Sequence, residues 1–147
     1  MCIRDSGLST SELIKVYKTC IRPCAEYASV VLHPMMTAEQ SDMLESQQTQ
    51  ALRNIYGFGV SAARMRAKSG LETLRARRVN ACTRFAGSLT KSPRFSHWVE
   101  RRQVSNYPRR GAAVYGDYIE RPAKTDRCYN SPLYYYRRLL NGRVEVE

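Results

Sequence analysis

Two capping boxes, each set directly before apolar residues spaced in threes and fours, commit the first part of this 147-residue chain to helices. Ser9 and Glu12 precede the apolar positions 13, 14, 16, 17, 20, 21, 24, 27, 28 and 31, the spacing of one helix face. Pro23 falls inside that stretch and removes the amide that would bond the Thr19 carbonyl, so the spacing predicts one helix over Leu13–Val31, kinked near Thr19–Pro23 and ended by His33 and Pro34. Thr37 and Gln40 form the second box. After it, Met43, Leu44, Gln47, Ala51, Leu52 and Ile55 supply the inward face of a helix that closes at Gly57, a natural left-handed cap. Ser61 and Gly70 bracket a shorter helix, and Thr73 caps a fourth that runs to about Thr90, with Leu74, Val79, Cys82, Phe85, Ala86 and Leu89 inward and Pro93 as its stop.

Composition changes at Pro93. Four of the six prolines and nine of the fourteen aromatic residues lie from there on, with only nine Ile, Leu or Val in 55 residues. So few aliphatic side chains do not favour a second core, while so many tyrosines argue against full disorder. The expected fold is therefore all-α, a small bundle of three to four helices over residues 7–92, followed by an irregular, partly docked basic tail over 93–147. Within that tail Ser131–Asn141 reads as a final short helix with Pro132 in its first turn.

Several chemistries are excluded by spacing. Zinc needs close ligand pairs, yet Cys20 and Cys24 lie four apart, His33 is nine further on, and Cys82 and Cys128 are remote. Cys20 and Cys24 also fall on the apolar stripe, where thiols pack as small hydrophobes. His33 reads as a loop residue, and His97 as a ring packed beside Trp98. No G-x-S-x-G turn is present, Gly57-Phe58-Gly59 lacks a third glycine and a preceding strand, and the phosphate-loop signature is missing. No paired carboxylates suited to two-metal chemistry occur, so neither catalytic nor metal-ligating residues are expected. The longest uncharged run, Tyr27–Ala38, falls far short of the roughly 20 residues that cross a bilayer. With no secretory leader legible in the first residues, disulfide scaffolding is not expected either.

Charge is the remaining signal. Lys and Arg number 24 against 13 Asp and Glu, a net +11, and residues 1–60 contribute only 5 of the basic and 6 of the acidic side chains. Between Ser61 and Ser92 lie Arg64, Arg66, Lys68, Arg75, Arg77, Arg78, Arg84 and Lys91 against the single acid Glu72, and Arg94 follows. On a helix, Arg75, Arg78 and Lys91 are expected along one exposed side. Such a set suits a polyanion, because neutralising phosphates releases counterions without any base contact. Arg94-Phe95, Trp98 with Arg101 and Arg102, and Tyr107 with Arg109 and Arg110 add rings for stacking; the same rings also suit packing that pins the tail to the helices.

Two resemblances follow from these residues. Met1-Cys2-Ile3-Arg4-Asp5-Ser6 resembles the translation of the transposase end sequence of a sequencing adapter, which implies that residues 1–6 are an adapter-derived scar and that the reading frame begins inside a longer gene. Val16-Tyr17-Lys18-Thr19-Cys20-Ile21-Arg22-Pro23-Cys24-Ala25-Glu26-Tyr27-Ala28-Ser29 resembles the stretch after the palm in reverse transcriptases of non-LTR retrotransposons, of the LINE or jockey-like kind. Leu44-Glu45, Gln47, Ala51, Arg53, Ile55 and Gly57 are similar to that family's next helix. Gly70-Leu71, Thr73-Leu74 and Arg77-Arg78 are similar to the segment after it, and Thr125–Leu133 is similar to the ending of many such reading frames. Leu32 departs from the family's frequent Trp, and Arg64 and Arg66 replace a more acidic helix.

The family resemblance implies that Leu13–Lys91 belongs to a helical thumb that contacts the RNA or DNA template-primer backbone nonspecifically. Fingers and a palm with catalytic aspartates and Mg²⁺ would belong to the parent polymerase, so this chain is expected to carry no enzymatic activity and no cofactor. An intracellular location, nuclear or cytoplasmic, is implied as well. The competing expectation is an independent small basic helical protein that binds nucleic acid or another partner. Upstream coding DNA separates the two.

Overall fold

The structure, a computed structural model, describes residues 7–102, 116–120 and 122–144. Residues 1–6 of the adapter resemblance, and Tyr107, Arg109 and Arg110, lie outside them. Described residues are mostly helical: α1 Thr10–Val16, a π-helical segment Tyr17–Ile21, α2 Arg22–Glu26, α3 Ser29–Leu32, a 3-10 turn His33–Met35, α4 Ala38–Tyr56, α5 Ala62–Ser69, α6 Leu74–Lys91, a 3-10 turn Ser96–Trp98, α7 Asp126–Tyr129 and α8 Pro132–Leu140. No strand occurs among the described residues beyond one isolated antiparallel bridge, Arg101 to Tyr118, and the fold is all-α as expected.

The chain divides into two compact units, one of residues 7–28 and 36–77, the other of residues 29–35 and the described residues from 78 onward. The expected division at residue 92 separated tail from bundle. Contacts divide the chain instead inside α6, between Arg77 and Arg78.

In the first unit both capping boxes form. Ser9 N–H donates to Glu12 Oε2 at 2.7 Å, and Thr37 N–H to Gln40 Oε1 at 3.0 Å, while each hydroxyl accepts the third amide of its helix. The expected kink before Pro23 takes the form of the π segment: with no amide at Pro23, the Arg22 N–H reaches back five residues to the Tyr17 carbonyl. That wider turn shifts every later residue around the axis. In consequence Cys20 and Cys24, expected in the core, are exposed, along with Ile21; Val16, just before the segment, is exposed too. The helix also breaks a second time at Tyr27, followed by Ala28 at φ +50°, a left-handed conformation that costs an alanine about 1 kcal/mol.

Leu13, Tyr17, Leu52, Ile55, Met65 and Leu71 form the core of this unit. Gln48 is buried at its centre, accepting the Tyr17 hydroxyl at 3.0 Å and donating to the Glu72 carbonyl at 3.0 Å. The inward face of α4 therefore carries Gln48, and Gln47 and Met43, expected inside, are exposed. Gly57 ends α4 at φ 92°, ψ 164°, a glycine conformation with the expected sign of φ but an extended ψ. Ser61 caps α5 through the Arg64 amide, and Gly70 closes it in the left-handed conformation. Thr73 caps α6 through Ala76 N–H at 3.1 Å, and Glu45 Oε1 accepts Arg75 N–H at 2.6 Å.

The second unit corrects the expectation that residues after 92 lack a core. Cys82, Ala86 and Leu89 of α6 cluster with Val99, Tyr118, Tyr135 and Tyr136, so tyrosine rings take the place of missing aliphatics. Each brings a polar atom inside. Tyr136 donates to the Val30 carbonyl and meets the Cys82 thiol at 3.8 Å. Arg137, itself buried, donates from Nη2 at 2.8 Å and Nε at 3.3 Å to the Trp98 carbonyl. Asn141, just past α8, accepts the Tyr118 amide at 3.0 Å and donates to its carbonyl at 3.1 Å.

Two expectations follow. Gln48→Ala strands the Tyr17 hydroxyl and the Glu72 carbonyl and should cost about 2–3 kcal/mol, against about 0.5 kcal/mol or less for Gln47→Ala, as read by urea unfolding followed by circular dichroism. Burial pushes the Cys82 thiol and the Tyr136 hydroxyl up, so the fold holds protons that the unfolded chain releases. Their contribution is complete below about pH 8.5 and declines as pH rises past the unfolded thiol and phenol values. The urea midpoint should fall above about pH 9, and Cys82→Ala should remove the earlier part of that fall.

Candidate nucleic-acid interface

The basic residues singled out by the sequence separate into three kinds once packing is known. Arg64 and Lys68 are exposed, one turn apart on α5, and Arg75 is exposed at the start of α6. Arg66, on the same short helix, is half-buried, with its Nε enclosed and unbonded among the described residues. In the other unit Arg84 and Lys91 are exposed and seven residues apart, which places them on one face of α6. Arg94 is exposed too, its guanidinium carbon 5.6 Å from the centre of the Phe95 ring.

Arg77 is taken up by an ion pair. Its Nε and Nη2 donate to the two carboxylate oxygens of Glu26, the latter at 3.2 Å, while Arg22 approaches the same carboxylate at 3.6 Å. The hydrogen bond to Glu26 drives the Arg77 guanidinium still higher than usual. Such a fork is geometrically matched to a carboxylate, whose charge already offsets that of Arg77.

Arg78 departs furthest from expectation: only 1% of its surface is exposed. It lies on the ladder Leu74, Arg78, Cys82, Ala86, each four residues from the last and all buried, so helical spacing itself carries it inward. Phe85, expected inside, is half-exposed beside that ladder, its ring 5.2 Å from Tyr136.

Aromatic rings accompany the cations of the second unit. Phe95 and Trp98 pack at 5.0 Å, His97 meets Trp98 edge-on at 6.0 Å, and the indole remains 46% exposed. His33 packs edge-on against Tyr135 at 5.6 Å. Arg101 lies 5.7 Å over the Tyr118 ring and hydrogen-bonds the Tyr118 hydroxyl. Tyr118 escaped sequence reasoning, because a tyrosine between Asp117 and Ile119 carries no periodic pattern. Arg137 escaped it as well, although a basic residue directly after three tyrosines on α8 has a pattern consistent with an inward cation.

Chemically, exposed guanidinium and ammonium groups beside accessible rings can neutralise phosphates and stack bases. No group of three or more His, Cys, Asp or Glu poised for a metal occurs among the described residues, and no described helix is long and apolar enough to cross a membrane. The structural cation and the surface cations should separate by mutation. Arg78→Ala empties a buried volume and should cost about 2–4 kcal/mol, whereas Arg75→Ala should change stability by about 0.5 kcal/mol or less in the same thermal unfolding assay. Comparison of the chain with protein-family models, with curated proteins and with solved structures returned no match.

Proposed function

We propose that the chain is the thumb and C-terminal part of a non-LTR retrotransposon reverse transcriptase, and that its own activity is nonspecific contact with the backbone of an RNA or DNA template-primer. The observation that carries this reading is the exposure of Arg64, Lys68, Arg75, Arg84 and Lys91 on helices, and of Arg94 in the turn after α6, in a chain whose acidic residues are few over the same span. Order adds support, since four family-like segments occur in the family's sequence from Val16 to Leu133. Arg77 and Arg78, both inside the third of those matches, act here in structure: one fixes Glu26 and the other fills the stripe of α6. Phosphate contact is assigned to the remaining cations. Polymerase chemistry and its Mg²⁺ belong, on this reading, to palm residues that are not among those of this chain.

Six phosphate contacts would give a log–log dependence of duplex affinity on salt with a slope of about −5. Fluorescence anisotropy with a labelled RNA–DNA hybrid across a salt series measures it. Replacing Arg75, Arg84 and Lys91 together with Ala should flatten the slope by about 2.7, roughly 0.9 per lost contact. A salt-independent affinity, or no binding at low salt, would remove the reading.

A further inference from the structure

One exposed ring of the first unit is used neither by its core nor by the cations assigned to phosphate. Phe58 is 79% exposed, on the turn between α4 and α5. That turn is built to hold the ring out. Gly57 before it takes φ 92°, ψ 164°, a conformation open essentially to glycine alone, and a Cβ on Gly59 after it would meet nothing within 4 Å. A single exposed apolar side chain is common on protein surfaces and marks nothing by itself. What sets Phe58 apart is the charge around it.

From residue 46 to residue 71 the chain holds Arg53, Arg64, Arg66 and Lys68 and not one Asp or Glu, and Phe58 is the large apolar side chain exposed along that span. The two other apolar side chains of this unit exposed to a similar degree lie beside carboxylates: Tyr27 directly follows Glu26, and Met43 follows Asp42 with Glu45 two residues on. Arg53 stands in the last turn of α4, and Arg64 and Lys68 are one turn apart on α5. All three are exposed, and their side chains make no hydrogen bond or ion pair among the described residues. A ring held in water, with uncommitted cations before and after it in the chain and no acid between them, is the pairing by which single strands are bound through stacking and backbone neutralisation together. A string of carboxylates would satisfy the cations and leave the ring in water; a strand of nucleotides brings a flat apolar face with each phosphate.

We infer that Phe58 stacks on an unpaired base of a single-stranded segment of the template-primer while Arg64 and Lys68 contact the phosphates of that strand, a role that deepens the proposed nucleic-acid contact and rests on it.

Fluorescence anisotropy of the whole chain with a labelled single-stranded oligonucleotide tests this role. Phe58→Ala should weaken binding about tenfold or more and leave the log–log salt slope as it is, because a ring carries no charge. Arg64→Ala should instead flatten that slope by about 0.7. Phe58→Tyr should bind as the wild type does, whereas Phe58→Leu, apolar without a ring, should bind as weakly as Phe58→Ala. At so exposed a position none of these replacements should move the thermal unfolding midpoint, so lost affinity reports contact and not folding. A blunt RNA–DNA hybrid, which offers no unpaired base, should bind the wild type and Phe58→Ala alike.

Phe58→Ala binding the oligonucleotide as tightly as the wild type, Phe58→Leu binding it as tightly as Phe58→Tyr, or an equal loss on the blunt hybrid overturns the inference; salt-dependent binding of the hybrid would then leave the template-primer reading in place. If the wild type binds neither nucleic acid, both fall, and binding of poly-glutamate in their stead would assign the surface to an acidic protein.

Discussion

Arg137 donates two hydrogen bonds to one backbone oxygen, that of Trp98, and the second unit depends on bonds of this kind. A segment with nine Ile, Leu or Val in 55 residues must bury aromatic rings instead, and rings with hydroxyls and a guanidinium bring polar atoms that carry a penalty of about 1–3 kcal/mol each if left unpaired. Several bonds answer that requirement, although the buried Tyr134 hydroxyl has no partner among the described residues. Tyr136 reaches the Val30 carbonyl, Asn141 brackets the Tyr118 peptide, and Arg143 meets Glu120 at 3.1 Å, so α8 and the residues after it hold the irregular stretches around it at defined points. Apolar contact alone is non-directional; these bonds fix register. Gly116 shows how tightly, since a Cβ there would lie 2.4 Å from the Asn141 side-chain oxygen, at a backbone φ of +67°.

The first unit solves a related problem with one side chain. Gln48 satisfies a hydroxyl 31 residues away and a carbonyl 24 residues away with the two ends of its amide, so the π-helical segment after α1, α4 and the loop before α6 meet at a buried polar point. Around it the Leu and Met side chains supply the larger, unspecific share of stability.

Helix ends were legible because capping is local: Ser9 with Glu12, Thr37 with Gln40, Ser61 and Thr73 are read within four residues, as is Pro132 in the first turn of α8. What failed to read was phase and distance. A π turn inserts an extra residue per turn, which rotates Cys20 and Cys24 off a stripe that a 3.6-residue period carries through them. Ala28 is a strong helix former, and nothing beside it announces a positive φ. Gln47 and Gln48 are chemically identical, and only partners remote in sequence decide which is buried. Of the basic set, Arg78 was the legible error, since the four-residue ladder from Leu74 to Ala86 passes through it. Arg77 was not, because Glu26 lies 51 residues away.

Exposure of Val16, Ile21, Tyr27, Met43 and Phe58 has a colloidal consequence. These side chains favour self-association, and what opposes it between copies of the chain is mutual repulsion from a net charge of +11. That repulsion is long-ranged only in dilute salt, for the screening length shrinks from about 30 Å at 0.01 M to about 8 Å at 0.15 M. Raising ionic strength therefore removes the electrostatic barrier while leaving apolar attraction in place, and solubility becomes a quantity that salt controls through the same charges that would hold a polyanion.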